Sequence, residues 1–201
     1  MLYQFSHQNQ IEPSKLTGFQ RILLTTDGTL TEILEALLSE KIELIKLSEQ
    51  YVLTTCPIVT LEIESGRGII ERKILLQGKM SRNNWLYAES VIVPERLEET
   101  FRDDLLSSRK TIGRLWQEHR LETFKEVIAS FWEFSGDIAD YFSIQRADRL
   151  LCRTYRVFSN RKPIMMITEK FPESFFEHIS KRVQNKKVTC SLNNPIWISG
   201  G

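Results

Sequence analysis

The chain has 201 residues, 41% hydrophobic and 26% charged, which suits the core of one globular domain and leaves little length for a second. Its 27 Lys and Arg against 26 Asp and Glu leave a net charge of +1, without the basic excess expected of a nucleic-acid or membrane-surface binder. Three scattered cysteines, Cys56, Cys152 and Cys190, with no CxxC pair, argue against a disulfide framework or zinc site and for a reducing compartment, so a cytoplasmic location is expected.

The N-terminal MLYQFSHQNQIEPSK lacks the basic-then-apolar pattern of a signal peptide, and no run approaches the ~18 apolar residues of a membrane span. Taken in chain order, the first clear element is a helix starting near Thr29. Leu30, Ile33, Leu34, Leu37 and Leu38 form its apolar stripe, and Thr29 with Glu32 has the spacing of a capping box. Ile42 to Leu47 extends this helix or begins a strand; periodicity does not decide between them. Ile69 to Gln77 alternates as a strand, Gly78 to Asn84 supplies turn residues, and Trp85 to Val93 reads as the returning strand. Pro94 ends it, and Glu95 to Leu106 reads as an amphipathic helix with Leu97, Phe101 and Leu105 on one side.

Arg109 to Arg114 reads as a turn, and Leu121 to Phe134 is ambiguous between helix and strand. Leu150 to Phe158 and Ile164 to Phe171 flank Ser159-Asn160-Arg161-Lys162-Pro163 as a second hairpin. Hairpins mixed with helices, rather than strict β-α alternation, predict an α+β class with an antiparallel sheet covered on one face.

Two residues break the strand patterns. Side chains alternate between faces, so Ile70, Arg72, Ile74 and Leu76 share one face, and so do Met165, Ile167, Glu169 and Phe171. A charge in an apolar face persists only with a partner or a charged ligand, so Arg72 and Glu169 form a buried ion pair or line a polar pocket, unless a slip in register turns them to solvent. Other singular residues carry less. His7, His119 and His178 lack metal-ligand spacing and read as surface or packing histidines, with no metal expected. Ser65-Gly66-Arg67-Gly68 lacks the lysine of a phosphate loop, and Lys181-Arg182 and Lys186-Lys187 read as a solvated face.

Several blocks, in shared order from about residue 27 to 176, resemble the chorismate pyruvate-lyase family. They are Asp27-Gly28-Thr29-Leu30-Thr31, Arg72-Lys73-Ile74-Leu75-Leu76-Gln77-Gly78, Trp85-Leu86, Ala88-Glu89-Ser90, Val91-Ile92-Val93-Pro94-Glu95, Ile112-Gly113-Arg114, Glu122 to Glu126, Arg153 to Val157 and Pro163 to Glu169. They resemble most a divergent branch that includes members long labelled as a domain of unknown function. The resemblance implies one domain, residues 1–201, with a single antiparallel sheet of about six strands and flap-like helices over an internal ligand pocket. It implies cofactor-free elimination of pyruvate from chorismate to give 4-hydroxybenzoate, with no nucleic-acid or membrane partner. Arg72 would bind the ring carboxylate with the N–H of Ile112 beside Gly113, Glu169 would face the ring hydroxyl, and Leu30 would pack on the ring. Where the family often carries a second arginine this chain has Ser90, which leaves Arg114, Arg153 or Arg156 to hold the second carboxylate. Two other readings remain open: a non-catalytic sensor of small aromatic acids on the same fold, and a lyase on a related enol ether giving, for instance, 3-hydroxybenzoate. The ~25 residues before the first block are too few for the winged-helix segment that normally precedes such sensors. Oligomeric state is not readable.

Overall fold

The computed structural model describes residues 11–108 and 110–176. His7, His178, the two basic pairs between 181 and 187, and Cys190 lie outside them. Thr17 caps a first helix, α1 (Gly18–Thr25), in a capping box with Gln20, the two reciprocal bonds measuring 2.8 and 3.2 Å. The second helix, α2 (Leu30–Leu38), follows the expected stripe, with Leu30 and Leu34 buried, and ends at Ser39 in the left-handed region. Thr29 is its N-cap but makes no side-chain cap bond, and Glu32 accepts instead from Gln117 at 2.6 Å. The predicted capping box at Thr29 therefore does not form; that side chain is packed against Gly113.

Six strands follow: β1 (Ile42–Leu53), β2 (Gly68–Gly78), β3 (Asn84–Ile92), β4 (Phe124–Phe134), β5 (Arg149–Ser159) and β6 (Lys162–Pro172). They form one antiparallel sheet in the order β1-β2-β3-β6-β5-β4. Both ambiguous segments, 42–47 and 121–134, resolve as edge strands β1 and β4. The β5–β6 hairpin turns on Asn160 and Arg161, both with positive φ, as a two-residue turn between right-twisted strands requires. The predicted helix over residues 95–106 is split: a 3-10 turn, Pro94–Arg96, precedes α3 (Glu99–Ser107). The expected turn at 109–114 is instead the start of α4 (Ile112–Glu118), whose N-cap Thr111 accepts from the N–H of Arg114.

The pairing register places Ile70, Arg72, Ile74 and Leu76 beside Ile92, Ser90, Ala88 and Leu86, and these beside Met165, Ile167 and Glu169 of β6. On β5 the same face carries Leu151, Arg153, Tyr155 and Val157. This inner face packs against Leu23 and Leu24 of α1, Leu30 and Leu34 of α2, Phe101 and Leu105 of α3, and Leu115 of α4, forming the main core. The opposite face has two smaller clusters, one around Leu75, Tyr87 and Cys152 that includes Phe142 of a short helix, α5 (Ala139–Phe142). Among the described residues no helix is long and apolar enough to cross a membrane.

Candidate active site

Between the inner face and helices α2 and α4 lies a cavity with about 60 Å³ of free space. Its floor is apolar: Ile74 and Leu76 of β2, Leu86 and Ala88 of β3, and Ile167 of β6. Its roof runs from Gly28 to Thr31 at the start of α2 and from Thr111 to Gly113, with Trp116, on α4. Gly113 is needed there, because a Cβ on it would stand 2.2 Å from Cγ2 of Thr29. Polar groups enter at the margins, from Ser90, Glu169, Tyr155 and Lys125.

Arg72 is 1% exposed. Its register partner on β1 is Glu49, which gives a counter-charge at 3.4 Å from Nε. Yet no hydrogen bond forms, and among the described residues all three guanidinium nitrogens are buried without a partner. The other Glu49 oxygen is already taken by Lys46 at 2.7 Å. Burial holds the Arg72 guanidinium below its ordinary pKa, with Glu49 opposing. Arg72 does not itself touch the free space, but Ser90, directly opposite it on β3, does. A buried fork of donors that makes no hydrogen bond among the described residues suits an incoming carboxylate, which can take two parallel bonds.

Glu169, 7% exposed, lines the cavity two strands away from Arg72. From strand spacing and rise the two Cα atoms are roughly 12 Å apart. They therefore do not form the ion pair that the sequence left open. The partner of Glu169 is Arg153, directly across β5–β6, whose Nε donates to Oε2 at 2.5 Å, while the Tyr155 hydroxyl donates to Oε1 at 2.9 Å. The cation expected beside this carboxylate is thus Arg153 and not Arg72, because the register sets Arg153 opposite it. Arg153 is 1% exposed; burial opposes its charge, but Glu169 and Tyr155 more than offset this, and its pKa rises. Burial and Glu169 push the Tyr155 phenol well up, so it stays protonated as the donor.

The loop from Thr26 to Gly28 is tied down by two cations. Arg153 Nη1 donates to the carbonyl of Thr26 at 2.8 Å, and Lys125 Nζ donates to those of Asp27 and Gly28 at 2.7 and 3.0 Å. These bonds set the α2 start over the cavity. Lys125 also lies over the Trp116 ring, 5.0 Å from its centroid, and over Tyr155 at 5.7 Å.

Of the residues singled out from sequence, Leu30, Ser90, Ile112, Gly113 and Glu169 line the cavity and Arg72 flanks it. Arg114 does not belong to it. It projects from the other side of α4 into an outer groove and pairs with Glu35 of α2 at 2.6 Å. Arg156 bonds Glu126 and the carbonyl of Thr60, away from the cavity. His119 packs on Phe101 and bonds Asp104, as a packing histidine would. Sequence reasoning missed Tyr155, Trp116 and Lys125 as wall residues. The alternation applied to β6 finds Tyr155 and Arg153 when carried to β5, between Leu151 and Val157. Trp116 and Lys125 fall in segments whose period was not legible.

The family model described as "Chorismate pyruvate-lyase Rv2949c-like" matches residues 24–179. A chorismate pyruvate-lyase of Mycobacterium leprae is 32% identical over 195 residues, 94% of this chain and 90% of that one. Its counterpart from Mycobacterium tuberculosis (strain ATCC 25618 / H37Rv) is 29% identical over 174 residues, 82% and 85% of the two chains. A putative lyase of Methanocaldococcus jannaschii is 31% identical over 166 residues, 78% and 79%. Among solved structures, the effector domain of PhnF from Mycobacterium smegmatis superposes with a TM-score of 0.56 at 9% identity, covering 72% of this chain and 88% of that one, a likeness of fold alone. With the family model spanning residues 24–179 and a relative 32% identical over 94% of its length, this chain belongs to the Rv2949c-like chorismate pyruvate-lyase family.

Proposed function

We propose that this protein, working as one cytoplasmic domain, eliminates pyruvate from chorismate to leave 4-hydroxybenzoate. The observation that carries the reading is the guanidinium of Arg72, buried without a hydrogen bond among the described residues beside Ser90, which lines one end of a cavity whose other end holds Glu169. Chorismate is a dianion with a ring carboxylate opposite a hydroxyl-bearing carbon, and that polarity matches these two ends. Arg72 would take the ring carboxylate, helped by the N–H of Ile112, which as the first residue of α4 has no partner within the helix. Leu30 and Ile74 would flank the ring.

The chemistry is an elimination. The ether bond between ring and enolpyruvyl oxygen breaks, and its electron pair leaves with the oxygen. The hydroxyl-bearing carbon loses its proton, and the C–H electrons form the third double bond of the aromatic ring. The proton ends on the methylene carbon of enolpyruvate as it becomes pyruvate. No outside oxidant or reductant enters the balance, and aromatisation drives the reaction, so it calls for no cofactor. Glu169, oriented by Arg153 and Tyr155, faces the edge that loses the proton and would orient the substrate and accept it. The free space of about 60 Å³ is well below the roughly 150 Å³ of a cavity that takes up benzene. Entry of substrate therefore requires α2 and α4 to lift, and their return would exclude water.

Purified protein given chorismate should release equal amounts of 4-hydroxybenzoate and pyruvate, separated by chromatography. Arg72→Ala and Glu169→Ala, checked for folding by circular dichroism, should lose most turnover; wild-type rates in either variant would remove the site assignment. Release of 3-hydroxybenzoate would instead mark a lyase on a related course. A second reading, binding without turnover, is favoured by the likeness of fold to an effector domain. Tight binding of 4-hydroxybenzoate with chorismate left intact would select it.

A further inference from the structure

We propose that Lys125 and Trp116 form a second anion subsite, which takes the carboxylate of the enolpyruvyl group; the inference rests on reading the cavity as a chorismate chamber. Of the described residues lining the cavity, Lys125 is the one cation. The nearby arginines are already neutralised, Arg153 by Glu169, Arg114 by Glu35 and Arg156 by Glu126. Lys125, by contrast, forms no ion pair among the described residues, and its ammonium rests on two neutral carbonyls, Asp27 and Gly28. An ammonium has three donors, so one remains for a ligand. Burial pulls its pKa down, with the charge of Glu169 opposing, which marks a cation short of solvation.

The second donor is Trp116. Its indole Nε1 is buried with no hydrogen-bond partner among the described residues, and its ring lies under the Lys125 ammonium. A carboxylate that accepted from both would satisfy the orphan N–H and neutralise the lysine. The position agrees with the substrate's shape. The ether carbon of chorismate adjoins the hydroxyl-bearing carbon, so the enolpyruvyl carboxylate falls on the Glu169 side of the ring, away from Arg72. Lys125 enters from edge strand β4, on that side, and Arg72 from β2 on the other. Ser90, across from Arg72, offers only a hydroxyl, so the second charge must be met elsewhere.

The test compares a ligand with two carboxylates against one with a single carboxylate. Lys125→Met should raise KM for chorismate by about tenfold to a hundredfold, the loss expected for a hydrogen bond between charged groups. The same variant should weaken 4-hydroxybenzoate binding, measured by calorimetry, far less, because that ligand lacks the second carboxylate and feels only the loss of the two bonds to the 26–28 loop. Lys125→Arg should recover most of the chorismate KM, and Trp116→Phe should show a smaller loss of the same selective kind. Equal weakening of both ligands would mean that Lys125 only holds the 26–28 loop, and an unchanged chorismate KM would mean that it plays no part; either overturns the subsite while leaving the Arg72 assignment standing. If wild type neither binds nor converts chorismate, the functional reading and the subsite fall together.

Discussion

A guanidinium buried with three unpartnered nitrogens weakens the fold that holds it, since its lost hydration is not replaced. Arg72→Met keeps the length of the side chain and removes that cost; Glu49 loses its counter-charge at 3.4 Å but keeps its bond to Lys46. Thermal melting without ligand should therefore place Arg72→Met at or above wild type, while affinity for 4-hydroxybenzoate falls about a hundredfold or more. A melting point several degrees lower would show that Arg72 supports the fold. Glu169 is the opposite case. It is the counter-ion of Arg153, and Glu169→Gln leaves a buried cation unpaired, which costs about 3 kcal/mol or more and should lower the melting point by several degrees as well as abolish turnover. Both residues were visible in the sequence as charges in apolar strand faces. Their partners were not, because β1 had no legible register to bring Glu49 to Arg72, and the alternation was not followed into β5.

The two helices over the cavity meet where Gly113 faces Thr29. Gly113→Ala would bring a methyl to 2.2 Å from Cγ2 of Thr29, so the start of α2 must shift from α4. Turnover should fall about tenfold or more, by analogy with small misplacements that cost up to a hundredfold. Thr29→Ala in the same chain should restore much of it by removing the obstructing methyl, a coupling that a double-mutant cycle would measure. The same helices share an ionic clamp. Burial would raise the pKa of Glu35, but bonds from Lys41 and the N–H of Ile42, with Arg114 nearby, hold it below its ordinary value of 4.5. A carboxylate depressed in the folded state contributes stability that is present above its ordinary pKa and lost as pH falls through the depressed one. Glu35→Gln should therefore lower the melting point at neutral pH and flatten its decline below about pH 4.5. Wild-type behaviour across the acid range would remove the clamp. Strand β2 could be read from sequence because its pleat coincides with burial over Ile70 to Lys73, and β5 and β6 because they are apolar runs buried on both faces. Edge strands β1 and β4 are mostly half-exposed and show no clean alternation, and α4 was hidden because a glycine in a first turn looks like a loop.

At the scale of the molecule, the order β1-β2-β3-β6-β5-β4 sets both hairpins side by side, so Arg72 and Glu169 reach one face although they lie 97 positions apart in sequence. On the proposed reading the sheet stays in place and α2 and α4 move to admit a ring. Binding of 4-hydroxybenzoate should slow amide hydrogen exchange in residues 28–34 and 111–118 and leave β2, β3 and β6 little changed. Uniform protection of sheet and helices would argue against these helices as the covering flap. The central claim, that one aromatic acid lies between Arg72 and Glu169 beneath these helices, is tested most directly by a crystal structure with 4-hydroxybenzoate bound. The account predicts the carboxylate on the Arg72 guanidinium, the ring over Ile74 and Leu30, and the phenol toward Glu169. A ligand in the outer groove beside Arg114, or an Arg72 guanidinium still without a partner, would contradict it.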